Sequence, residues 1–213
     1  NGQVMFQHIA WERPQQWHLD LSSDKMTVLE RGIAIGFFTA LTALCAQFIL
    51  YLPISPVPFT LQTFAVMATG VYLRRNDAFA AGSLYLVLGA LGLPVFAGGG
   101  DYLFVEGALF YQGGYLLSFP IASALVAEGL DRSRKAGHAD LKSQLICWTL
   151  AMIPVYVFGT MWLAYSLDWS MEAAFNAGTK PFLLWDAMKI VALALVTTKV
   201  WAYTPRDEEP SGE

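Results

Sequence analysis

The chain has 213 residues, of which 55% are hydrophobic and only 14% charged, with a formal net charge of -4 and a mean hydropathy of +0.44. Soluble domains run at about 25% charged residues, so this deficit excludes an ordinary water-soluble domain and points to a polytopic helical membrane protein. The negative charge gathers at the C-terminal end, in Asp207, Glu208, Glu209 and Glu213, and no basic patch marks a nucleic-acid binder.

Residues 1–28 hold Glu12, Arg13, Pro14, Asp20, Asp24 and Lys25 with no unbroken apolar core. They predict a polar N-terminal extension without a secretory signal peptide. Apolar runs then predict six spanning helices: Leu29 to Leu52, Phe59 to Leu73, Ala78 to Leu93, Gly113 to Leu130, Gln144 to Leu167 and Pro181 to Tyr203. The expected fold is an all-α integral membrane protein with a six-helix domain over residues 29–204 and an acidic tail over 205–213. The second and third runs fall short of the ~20 residues that cross a hydrocarbon core, and both adjoin Gly- or Pro-rich sequence. Such interrupted segments often line substrate sites, because irregular backbone at membrane depth must be satisfied by protein or ligand. Cys45 and Cys147 lie singly within spans and read as packing residues, neither disulfide partners nor metal ligands.

Basic residues set the orientation. Lys25 and Arg31 flank the start of the first span, Arg74 and Arg75 join the second and third, and Arg132, Arg134, Lys135 and Lys142 join the fourth and fifth. The alternate loops hold almost no Lys or Arg, so both termini are expected to be cytoplasmic.

Asp186 and Lys189 interrupt the last span. An ionised side chain in a bilayer-length helix costs roughly 2.5–3.5 kcal/mol on insertion scales, so a pair kept there implies use. Spacing i, i+3 places both on one helical face, where they either lock two helices together or share a ligand. The predicted orientation puts them in the outer half of the span, about 8–12 Å below its entrance at 1.5 Å per residue.

Two outer loops add to this. Pro53-Ile-Ser-Pro-Val-Pro-Phe-Thr-Leu-Gln62 has three prolines ahead of Thr60 and Gln62, which excludes helix until about Phe59 and predicts a rigid elbow. Gly89 to Gly100 contains little side-chain bulk, and its glycines permit unusual dihedrals and close backbone approach to a ligand.

The succession VPFTLQTFAVMATG (57–70), YLVLGALGLPVFAGG (85–99), GGYLLSFPIA (113–122) and PFLLWDAMK (181–189) resembles the BioY family, over roughly residues 29–200. That family comprises the biotin-specific substrate-binding (S) components of energy-coupling factor (ECF) vitamin transporters. The resemblance implies a multi-pass plasma-membrane protein that captures biotin near its outer face and is not itself an enzyme. Biotin enters as transported substrate and not as cofactor. The implied ligand-binding residues are Asp186, Lys189, Gln62, Gly98, Gly99 and Tyr115. The chemistry suits them, because biotin offers a carboxylate to an ammonium and ureido N–H donors to a carboxylate. Two departures stand out: Gly98-Gly99-Gly100-Asp101 lacks an Arg common in the family, and Phe110-Tyr111-Gln112 replaces a common Gly-Pro-Thr, leaving Glu106 and Gln112 as nearby polar groups.

No Gly-x-x-x-x-Gly-Lys-Ser/Thr sequence occurs, so uphill transport requires separate proteins. The resemblance implies an integral T component and paired cytoplasmic ABC ATPases as partners, alongside membrane lipid and no nucleic acid. Gly36 and Ala40 in the first span form a small-xxx-small pair where the family's T-component docking motif falls, and such pairs equally serve packing within the chain. Other classes remain as expectations to weigh. One is an S component for another small vitamin. An ion-coupled secondary carrier would need proton exchange at Asp186 and Lys189, and an intramembrane enzyme would need motifs that are absent, since His8, His18 and His138 lie outside the spans.

Overall fold

The computed structural model describes residues 26–99, 103–105, 108–136 and 141–201, the side chains of 104, 105, 108 and 195–201 excepted. Lys25, Glu106, His138, most of the N-terminal extension and the acidic tail lie outside the described residues. The described residues form seven α-helices: α1 (Val28–Ala46), α2 (Gln62–Tyr72), α3 (Arg75–Ala90), α4 (Gly113–Lys135), α5 (Leu141–Ser166), α6 (Met171–Gly178) and α7 (Lys180–Trp201). Two antiparallel pairs of two-residue strands, β1 (Ile49–Leu50) with β2 (Phe59–Thr60) and β3 (Phe104–Val105) with β4 (Ala108–Leu109), close the loops at one end.

α1 begins at a capping box, in which Thr27 Oγ1 accepts from the Glu30 amide and the Glu30 carboxylate accepts from the Thr27 amide. α1, α4 and α5 are long and apolar enough to cross a membrane. The outward face of α5 carries Ile146, Leu150, Ile153, Val157 and Met161, all exposed, at helical spacing. An apolar stripe of that length is a lipid face. The inner core holds Phe38, Met67, Tyr85, Phe119, Val126 and Trp148, with Tyr85 and Trp148 fully enclosed.

The sequence expectation changes at the second run. Phe59 and Thr60 are extended in β2, and the helix starts only at Gln62. Its 11 residues reach about 16 Å at 1.5 Å per residue, far short of a ~30 Å hydrocarbon core. Strand pairing adds to this, since Phe59 and Thr60 pair with Leu50 and Ile49 and leave the first residues of the run outside the helix. Likewise the run Leu29 to Leu52 splits into α1 and β1, and α6, capped by Ser170, forms between the last two long helices without having been expected.

Charge separates the two ends of the bundle. At one end the Arg31 guanidinium grips buried Asp77 with two hydrogen bonds of 2.6 and 3.0 Å, and Glu128 meets Arg75 and Arg132. The strand pairs, the glycine loop and α6 occupy the other end, where Asp186 and Lys189 enter.

Candidate ligand-binding site

α7 is inverted relative to a water-soluble helix. Leu184, Met188 and Val191 point outward, whereas Asp186, Lys189, Ile190, Leu193 and Ala194 are buried against α2 and α5. The side chains of Asp186 and Lys189 retain only 4% and 8% of their accessible surface and form an ion pair at 2.5 Å.

Hydroxyl groups complete the pair. Thr63 Oγ1 donates to Asp186 Oδ1 at 2.9 Å and accepts from Lys189 Nζ, while Tyr156 on α5 donates to Asp186 Oδ2 at 2.9 Å. Lys189 Nζ also donates to the Thr60 carbonyl at 3.0 Å. All three ammonium donors are therefore engaged. The carboxylate, with about four acceptor positions, takes Lys189, Thr63 and Tyr156 and keeps one position open.

These groups line a cavity of about 60 Å³, enough for several waters at ~10–15 Å³ each. Its polar lining is Thr60, Gln62, Thr63, Gln112, Tyr156, Asp186 and Lys189; Val57, Pro58, Leu116, Phe119, Val155 and Phe182 supply apolar walls, and Tyr115 contributes at one side. Phe59 stacks on Phe182 at 4.2 Å and fixes the elbow to the start of α7. A narrow chamber with an acid–base pair at its floor and apolar walls suits a small amphipathic anion bearing N–H donors.

Of the residues expected from sequence, Asp186, Lys189, Gln62 and Tyr115 come together on this cavity. Gln62 receives a hydrogen bond from Thr60 Oγ1 at 2.9 Å and donates to Tyr85 Oη at 2.6 Å, which in turn donates to the Val95 carbonyl at 3.1 Å. Tyr115 Oη donates to the Gly178 carbonyl at 2.7 Å and so ties α4 to the end of α6. Gly98 and Gly99 are elsewhere: both adopt φ of +73° in a tight turn, with Gly98 facing Tyr51 and Ile49, and neither lines the cavity. The glycine loop instead supports the chamber from behind, through Val95 and through Phe96, whose ring packs edge-on against Tyr85 at 5.3 Å.

Gln112 lines the cavity and donates to the Pro56 carbonyl at 3.3 Å, joining the altered loop to the proline elbow. Thr60, Thr63 and Tyr156 are the site residues that the sequence reading did not single out. Thr60 and Thr63 flank Gln62 within the matching motif, a signal that was at hand; Tyr156 sits alone on a long apolar helix and offers none.

Gly36 and Ala40 lie on the open face of α1, where a Cβ added at Gly36 meets nothing within 4 Å. The adjacent small residues Thr39, Thr42 and Ala46 face inward instead, with Thr39 Oγ1 donating to the Ala81 carbonyl at 3.0 Å. The two stripes thus lie on different faces, and Gly36 and Ala40 are exposed among the described residues.

The BioY family model matches residues 18–206. A probable biotin transporter BioY of Pyrococcus horikoshii is 33% identical over 171 residues, covering 80% of this chain and 95% of that protein. A probable biotin transporter BioY of Bacillus subtilis is 39% identical over 170 residues, covering 78% and 87%. The fold matches the crystal structure of the S component for biotin from an ECF-type ABC transporter with a TM-score of 0.73 at 21% identity, covering 84% of this chain and 96% of that one. The chain belongs to the BioY family.

Proposed function

We propose that this BioY-family chain is the biotin-capturing S component of an ECF-type importer, a multi-pass protein of the plasma membrane and not an enzyme. The observation that carries the reading is the enclosed Asp186–Lys189 pair at the floor of an apolar-walled chamber. Lys189 pairs with the biotin carboxylate, and the open acceptor position of Asp186 takes a ureido N–H. Gln62 and Tyr115 contribute to the wall, and Gly98 and Gly99 act at one remove by shaping the loop behind Tyr85. Relatives named as biotin transporters support the substrate.

The finer topology belongs to the same reading. The membrane domain extends over residues 29–204 between a polar extension and an acidic tail and makes six passes, α2 with its proline elbow counting as a partial one. Both termini are cytoplasmic, because Arg31, Arg74, Arg75, Arg132 and Arg134 share one end of the bundle and the chamber lies toward the other. Gly36 and Ala40 form the docking face for a T component, which with ABC ATPases supplies the energy; their exposure supports this over packing within the chain. Titration of the detergent-purified protein with radiolabelled biotin tests the central point. Binding at submicromolar ligand that is lost in Lys189→Met is expected, and absence of binding by the native chain refutes the assignment.

A further inference from the structure

The ring of Tyr115, which lines the chamber, is seated in a slot that two glycines leave open. Just before it, Gly114 brings the backbone of α4 onto α5: a Cβ there would lie 2.5 Å from the Phe158 carbonyl oxygen and overlap Trp162 Cβ. One residue on, the Tyr115 ring meets α5 at Gly159, where a Cβ would overlap ring atoms Cδ1 and Cε1 and stand 2.5 Å from Cζ. The hydroxyl end of the ring reaches Gly178 at the end of α6. Tyr115 Oη donates to the Gly178 carbonyl at 2.7 Å, and a Cβ on Gly178 would lie 2.6 Å from Oη and overlap Leu163. Neither Gly159 nor Gly178 is among the lining residues of the chamber.

A ring seated in this way moves in one direction when its slot is filled. The backbone of α5 lies on its Gly159 side, Gly178 and Leu163 hold its hydroxyl end, and the open volume it borders is the chamber. At about 60 Å³ the chamber has little width to give, so the position of one aromatic wall decides what bulk it admits. Given the chamber as the biotin site, we propose that Gly159 and Gly178 are positioning residues that set its specificity: by lacking a Cβ they let Tyr115 stand back, and the depth of their slot fixes the width available to the ring system of the ligand. Selection by size is then set behind the chamber wall, by residues that touch no ligand, while Asp186 and Lys189 select by charge.

The test titrates the detergent-purified full chain with radiolabelled biotin and, by competition, with desthiobiotin, which keeps the carboxylate and the ureido ring and lacks the sulfur that closes the second ring. Gly159→Ala should lower biotin affinity about 10-fold, the cost of one overpacked methyl, and lower desthiobiotin affinity less. In a Tyr115→Leu background, which removes the ring, Gly159→Ala should change biotin affinity by less than about 2-fold. Gly129→Ala controls for lost packing: its Cβ meets Cys147 Sγ at 2.9 Å between the same two helices, several turns further along α4, so it should lower the melting temperature and leave both affinities unchanged. Gly178→Ala, which meets the hydroxyl end of the ring, carries the test with the same ordering of ligands if circular dichroism shows Gly159→Ala to be unfolded. Native biotin affinity in folded Gly159→Ala, an equal fall for the two ligands, or an equal fall in the Tyr115→Leu background overturns the slot and leaves the biotin assignment standing. Absence of biotin binding by the native chain refutes that assignment, and the role of the slot with it.

Discussion

Replacing Lys189 by Met separates the structural from the functional role of the charge pair. The substitution leaves Asp186, with 4% of its side chain exposed, holding a carboxylate that keeps the Thr63 and Tyr156 hydroxyl donors but loses its only ion-pair partner among the described residues. Breaking a buried pair in this way typically costs about 3–5 kcal/mol, far more than the net worth of the pair, because a charge is stranded. Lys189→Met should therefore lower the melting temperature in detergent sharply. Adding Asp186→Asn removes the stranded charge and keeps a carbonyl acceptor for one of the two hydroxyls, while the other turns to accept from the new amide N–H; the change should recover most of the lost stability. Biotin binding behaves differently. Both proposed charged contacts to ligand are gone in the double variant, and losing even one desolvated charge partner costs about 2–5 kcal/mol, or at least ~30-fold in affinity. Thermal melts and radioligand titrations on the native chain, both single variants and the double variant give the full cycle. A double variant that regains stability and also binds biotin as tightly as the native chain would falsify the clasp and leave an ion pair that only locks α7 to α2.

Tyr156→Phe removes one hydroxyl donor from Asp186, and a hydrogen bond to a charged group is worth about 1.5–3 kcal/mol; its affinity and melting temperature should fall by less than those of Lys189→Met, and equal or larger losses would contradict the assigned hierarchy. Gly36→Leu and Ala40→Leu, at positions exposed among the described residues, should abolish co-purification with a T component and leave biotin titrations unchanged. Gly82→Ala places a methyl 2.8 Å from Pro120 Cα and 2.9 Å from its nitrogen. Backbone cannot step aside as a side chain can, so the variant should lose about 1–3 kcal/mol of stability, read as a lower melting temperature, and an unchanged melt would show that α3 and α4 are not packed this closely.

The legible part of the site was the part that violates a rule of its surroundings. Asp186 and Lys189 are charges where lipid-facing sequence forbids them, and the three prolines before Phe59 are helix breakers inside an apolar run. Thr60, Thr63 and Tyr156 violate nothing, since a hydroxyl on a membrane helix is ordinary and its partner is identified only by the fold. Tyr156 and Thr63 reach Asp186 from 30 and 123 positions away. The glycine run shows the opposite failure. Its sequence signalled freedom near a ligand, but that freedom serves a turn at Gly98 and Gly99, and Gly89 admits the Phe96 ring, so the loop folds back onto Tyr85. The helices α1, α4 and α5 were visible because their length and apolarity are local properties. α6, with 8 residues, has too little sequence to impose a period, and α2 starts later than its apolar run because Phe59 and Thr60 pair as a strand, which hydropathy does not register.

Lys189 has no donor to spare, and this couples the chamber to its cover. Its ammonium already serves Asp186, Thr63 and the Thr60 carbonyl, so a ligand carboxylate must displace one of them. Asp186 is held by charge, and Thr63 bridges both members of the pair. The Thr60 carbonyl is the partner most readily exchanged, since its bond to the ammonium lacks the attraction between opposite charges that holds Asp186. Thr60 lies in β2, whose pairing with β1 brackets the elbow, and Val57 and Pro58 of that elbow form part of the chamber wall. A ligand carboxylate at Lys189, as proposed, should therefore loosen the hold of α7 on β2 beside the elbow residues that line the chamber. Hydrogen–deuterium exchange over residues 49–63 should change when biotin is added to the native chain and stay constant when it is added to Lys189→Met. Exchange that responds to biotin everywhere except in this segment would show that Lys189 keeps its bond to Thr60 and that the ligand takes the place of Asp186 or Thr63 instead.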